Sequence, residues 1–146
     1  MALTRCLRVA HASPSNRMTT TASGAAITGL RQIALTVSDV ARSTAFYRDA
    51  LGLTFLFAAG PSLAFLDVGG VRLMLSTPEG GLTPGKGSMH YFTVADIHAA
   101  HAAMASRGVT FAEAPHMIAR MPDHELWLAA FEDPDGNPLA LMCEVR

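Results

Sequence analysis

The sequence is short of several things that would narrow its function at once. It has only two cysteines, Cys6 and Cys143, near opposite ends of the chain. Two isolated thiols build neither a disulfide framework nor a cysteine zinc site, and they suit a reducing, cytoplasmic setting. Neither sign of charge is in excess: the net charge is −1 with six neutral histidines. Without a basic footprint, nucleic acid is not an expected partner. No apolar run reaches the length of a membrane span, so no membrane partner is expected. Acidic residues are missing altogether before Asp39. Residues 1–27, rich in Ala, Ser, Thr and Arg, share that trait with transit peptides but lack the apolar run of a secretory signal. They read as a disordered extension, with Met18 as an alternative start.

What is present is a repeat. Val37-Ser38-Asp39-Val40 returns as Val94-Ala95-Asp96-Ile97, and Gly52-Leu53-Thr54-Phe55 returns as Gly108-Val109-Thr110-Phe111. Gly70-Val71-Arg72-Leu73-Met74-Leu75 returns as Gly136-Asn137-Pro138-Leu139-Ala140-Leu141. A repeat of this kind marks a duplicated structural unit. Half of the 146 residues are hydrophobic, enough for one domain to build its core without staples. Residues 28–146 read as that domain.

Each repeat reads as βαβββ. Leu30–Val37 is apolar and β-rich, and Ser38 or Asp39 can cap a helix over Val40–Ala50 that Gly52 stops. Strands are expected at Thr54–Ala58, Leu63–Val68 and Val71–Ser76, closing a first module at residue 76. Thr77–Ser88, dense in Gly and Pro, reads as a flexible linker. The second module, 89–146, predicts a strand over Met89–Val94 and a helix over Ile97–Ser106. Further strands are expected at Val109–Ala114, Leu126–Phe131 and Leu139–Glu144, with a turn at Asp133–Asn137. Gly80 and Gly85-Lys86 echo a phosphate-binding loop, but Gly87 stands where Ser or Thr is needed.

These features resemble the vicinal oxygen chelate superfamily, which includes glyoxalase I, bleomycin-resistance proteins and extradiol dioxygenases. The carriers are Val37-x-Asp39, Phe46-Tyr47, Leu51-Gly52-Leu53 and Phe131-Glu132-Asp133-Pro134-Asp135-Gly136-Asn137, within Leu30 to Val145. The resemblance implies an α+β fold, two βαβββ modules forming a curved mixed sheet, with helices on its convex face. It also implies a homodimer and, in the enzymes, a divalent metal held on the concave face by the first and last strands of each module. The matching positions are Gln32, Met74, Met89 and Ala140. Only Gln32 offers a good oxygen ligand; thioethers suit soft ions and alanine offers nothing. No cofactor is therefore expected and a divalent metal is disfavoured. His90 would enter a metal set with Gln32 only if the register slipped by one residue.

Strand alternation adds Ala34, Thr36, Arg72, Ser76, Tyr91, Thr93, Met142 and Glu144 to the same face. That set makes an apolar floor with a few polar groups, as a small-molecule site requires. Arg72 could meet an anionic ligand or pair with Glu144. Residues 115–127 read as a polar connection between strands. There His116 and His124 are candidate acids or bases, alongside Glu144, and Trp127 is a candidate ligand contact or core anchor. His98 and His101 read as a solvated helix face. Beside a non-catalytic assembly module, two functions remain from the sequence. One is a binding protein with a metal-free bowl. The other is a glyoxalase-like lyase or isomerase, of the lactoylglutathione lyase type, or a dioxygenase, with a divergent metal site.

Overall fold

The computed structural model describes residue 27 and residues 29–146. The expected N-terminal extension, with Cys6, lies outside the described residues, Ile27 apart. The first half runs β1 (Gln32–Thr36), α1 (Val40–Ala45) with a π-helical turn over Phe46–Ala50, then β2 (Thr54–Ala58), β3 (Leu63–Val68) and β4 (Val71–Ser76). The second half runs β5 (His90–Thr93), α2 (Ile97–Ser106), β6 (His116–Arg120), β7 (Glu125–Glu132) and β8 (Pro138–Val145). Each half folds as a four-stranded mixed sheet, ordered β1-β4-β3-β2 and β5-β8-β7-β6. The first strand of each half lies parallel to its last, as a helical crossover demands.

The repeated motifs have physical reasons. Asp39 and Asp96 are the N-caps of the two helices, accepting from Arg42 N at 2.9 Å and Ala99 N at 3.0 Å. Such caps contribute about 1 kcal/mol each. Gly52 and Gly108 follow the helices at φ +79° and +94°, where a side chain would be strained.

Each sheet has one face covered by its helix. Leu35, Leu66, Leu73 and Leu75 are buried in the first half, and Ala129, Phe131, Leu139 and Leu141 in the second. They join Val37, Tyr47, Ile97, Met104 and Cys143 in one core fed by both halves. The alternate residues, such as Gln32, Ala34, Tyr91 and Thr93, form open faces.

Two elements differ from the sequence expectation. Val109–Ala114 is not a strand; only Phe111 bridges to Phe131. The strand forms later, at His116–Arg120, inside the segment expected to be a connection. The linker is also less free than its composition suggests. Gly85 N donates to Asn137 Oδ1 at 3.0 Å, and at φ +76° any Cβ on Gly85 would lie 2.5 Å from Asp135 O.

Strand pairing matches the halves residue by residue. Leu73 pairs with Ile33 and Leu66; its counterpart Leu139 pairs with His90 and Phe131. Ile33 therefore corresponds to His90. Counting toward the turns, Val68 corresponds to Asp133 and Val71 to Asn137. In the helices, Tyr47 corresponds to Met104.

Candidate functional site

The open face of the first half carries a small stack. Phe57 and Phe65 lie with ring centroids 4.5 Å apart, and the Arg72 guanidinium carbon sits 5.5 Å from the centre of the Phe65 ring. Both arrangements are attractive on their own terms. Beside them, Gln32 Nε2 lies 3.6 Å from Met74 Sδ. On the second half, Tyr91 pairs with Ala140 and Thr93 with Met142, while Leu128 faces Met142 from β7. Tyr91 is 49% exposed and Met89 38%.

The structure places the remaining candidates as follows. His90 opens β5 opposite buried Leu139 and lies with Phe92 on the half-buried side of the strand, away from Tyr91 and Thr93. Gln32 and His90 thus project from opposite faces of their sheets. Burial lowers the His90 pKa from its ordinary value. Its Nδ1 is buried with no hydrogen-bond partner among the described residues. Trp127 is not on the open face: it pairs with buried Cys143, packs edge-on to His98 and donates to Glu125 Oε2 at 3.1 Å. The strand β7 starts at Glu125, and alternation from there turns Trp127 inward. His98 and His101 are likewise not simply solvated, since His101 lies 4.3 Å from the Phe111 ring.

His116 and His124 are kept apart. His116 begins β6 and contacts Ala114 O at 3.2 Å, whereas His124 lies beyond its far end and meets Asp123 Oδ1 at 2.8 Å. At about 3.3 Å per residue, the strand separates them by roughly 15 Å. Glu144 meets Arg146 at 3.2 Å rather than Arg72. Among the described residues, no three His, Cys, Asp or Glu side chains gather as a metal site would need. The four positions marked by the resemblance offer an amide, two thioethers and a methyl group, a donor set that does not fit a hard divalent ion.

Sequence reasoning missed a polar latch between the halves. Tyr47 Oη donates to Asp133 Oδ2 at 2.8 Å. Asp133 also accepts from Asn137 Nδ2 at 2.8 Å and from Asn137 N and Asp135 N at 2.9 Å each. Asn137 Nδ2 also donates to Thr36 O at 3.2 Å. Burial, then the Asp133 carboxylate, raises the Tyr47 pKa far above its usual value. Asp135 accepts from Ser38 N at 3.1 Å and from Arg42 at 3.1 Å. Desolvation opposes its ionisation, but Ser38 and Arg42 together hold its pKa below the usual range.

Where the second half would place the same latch there is a cleft instead. Its volume is 620 Å³, and Met104, Val68 and Val71 line it with Leu53, Leu73 and His90. It lies on the helix-covered side of the sheets.

The glyoxalase/bleomycin resistance protein/dioxygenase superfamily model matches residues 29–141. The chain belongs to this superfamily. Solved members of similar fold include a superfamily protein from Sphaerobacter thermophilus, 27% identical at TM-score 0.66 and covering 81% of this chain and 98% of that one. A lactoylglutathione lyase from Agrobacterium tumefaciens is 21% identical at TM-score 0.63, covering 80% and 94%. An antibiotic-binding protein from a Streptomyces species is 23% identical at TM-score 0.65, covering 82% and 98%. No curated protein matches the sequence. The α+β superfamily fold expected from the sequence is thus established. No helix among the described residues is long and apolar enough to cross a membrane.

Proposed function

We propose that this superfamily member is a cytoplasmic small-molecule binding protein that works without a metal, using its open faces as the walls of the site. The observation that carries this reading is the Phe57–Phe65–Arg72 stack beside Met74. An apolar, adaptable surface with one cation suits a planar organic molecule bearing a carboxylate or phosphate. Gln32 supplies an amide at the same face, while Tyr91, Met142 and Ala140 supply the opposing wall. The antibiotic-binding relative shows that the fold accommodates binding as well as lyase chemistry.

The open faces also support a homodimer. Phe57, Met89 and Tyr91 are each between 38% and 49% exposed, bare apolar side chains on those faces. In the proposed dimer the first half of one subunit stands opposite the second half of the other, so each site has two walls.

The test is a thermal-shift screen of aromatic carboxylates on chelator-treated protein, since a ligand of the native state raises stability. Hits are expected to bind without added metal, and Arg72→Gln is expected to weaken them about tenfold, the loss of one charge-assisted contact. Binding that vanishes with chelation and returns with one equivalent of a divalent ion would reject the metal-free site.

A further inference from the structure

The two halves should leave matching spaces between helix and opposing turn, and only one of those spaces is filled. On one side Tyr47 reaches the Asp133–Asn137 turn. On the other, Met104 faces Val68 and Val71 across the 620 Å³ cleft. A methionine replaces a tyrosine, and two valines replace the carboxylate and amide that the tyrosine engages. The exchange is concerted: neither valine side chain could hydrogen-bond a phenol. The result is a mostly apolar space within the roughly 300–1,000 Å³ range of small-molecule sites. Thr54, Asp67, Arg72, Tyr91 and Thr93 also border it, from strand positions whose side chains alternate toward the open faces, and on the helix-covered side His90 joins the apolar wall, its Nδ1 without a partner among the described residues. The imidazole torsion has a broad two-fold profile, so either nitrogen can turn toward the cleft at low cost.

We infer that the cleft between Met104 and the β3–β4 turn is a second ligand site. It takes a small, uncharged, mostly apolar molecule with one hydroxyl-type group for His90. The site lies on the helix-covered side and does not depend on the open-face reading. Its chemistry differs as well: Arg72 borders the cleft, but its guanidinium lies over Phe65 at the open face and selects there for a negative charge, whereas the cleft favours a neutral molecule whose single polar group replaces the missing partner of His90.

Naphthol and naphthalene serve as probes, and isotope-labelled methionine methyl groups as reporters. Naphthol at up to roughly millimolar concentration is expected to shift the Met104 methyl resonance, leaving Met74 and Met142 unmoved. Naphthol is expected to bind several-fold more tightly than naphthalene, and His90→Leu to abolish that preference. Met104→Phe fills the space without adding a polar atom and is expected to weaken naphthol about tenfold, measured by naphthol fluorescence. A still Met104 resonance, or shifts confined to Met74 and Met142, overturns the cleft site. The native-protein titration decides even if Met104→Phe fails to fold. An open-face failure would show instead as unchanged aromatic-carboxylate binding in Arg72→Gln.

Discussion

Two junctions join the halves of this molecule, and they solve the same packing problem with opposite chemistry. At one, Tyr47, Asp133 and Asn137 form a buried polar latch in which the carboxylate accepts four hydrogen bonds. At the other, Met104, Val68 and Val71 leave an apolar cleft. A latch with every member satisfied is rigid and specifies one geometry. Three apolar groups around a cavity hold no geometry in particular, and the lining forfeits dispersion contacts. One junction is closed by hydrogen bonds, and the other leaves a space.

Breaking the latch gives the largest expected effect. Asp133→Ala leaves the Tyr47 hydroxyl, the Asn137 amide groups and Asp135 N without their acceptor. Each stranded buried group costs about 1–3 kcal/mol, and local relaxation recovers part of it. Unfolding in urea is expected to show a loss of about 3–5 kcal/mol, in line with a broken buried network. A loss below about 1 kcal/mol, the size of an ordinary surface change, would mean that the latch does not organise the junction.

Building a latch into the cleft sharpens the comparison. Val68→Asp alone buries a carboxylate beside apolar neighbours and is expected to destabilise. Met104→Tyr alone gains area but strands a hydroxyl. Together they recreate the tyrosine–carboxylate pair of the other junction. The double variant is expected to be more stable than the sum of the single effects by about 1–2 kcal/mol, the scale of coupling between residues in contact. A double-mutant cycle in urea measures it, and strict additivity would show that the two junctions are not geometrically equivalent.

The duplicated order was legible because its punctuation is local. Asp39 and Asp96 cap helices within three residues of themselves, and Gly52 and Gly108 stop the chain at positive φ. The strands Thr54–Ala58, Leu63–Val68 and Val71–Ser76 formed over the residues that alternation and turns marked. The strand β6 was hidden for an equally physical reason. It is an edge strand with a register shift between Met117 and Ala119, so its pattern is broken and its His and Arg side chains face water. The latch was only half legible. Asp133–Asn137 reads as a turn, but its partner Tyr47 lies 86 residues away, and nothing in the local sequence names it. The cleft is harder still, since it arises from what Met104 fails to reach.

His90 carries the smallest expected effect, because the ring is only half-buried. Its counterpart in the first half is Ile33, so His90→Ile makes the halves alike at the cleft wall. The folded-state pKa of His90 is lowered by desolvation. Above the ordinary imidazole value of about 6.5 the ring is neutral in both states and costs nothing. As pH falls below that value the unfolded chain takes up a proton that the folded chain resists, and stability declines until the folded pKa is passed. His90→Ile removes this linkage. Stability of the variant between about pH 8 and pH 5 is expected to fall less steeply than that of the native chain, by part of one proton in the slope. Urea unfolding across that range reads the difference. Parallel profiles would mean that water reaches the His90 ring in the folded protein, and that the wall of the cleft is wetter than its lining implies.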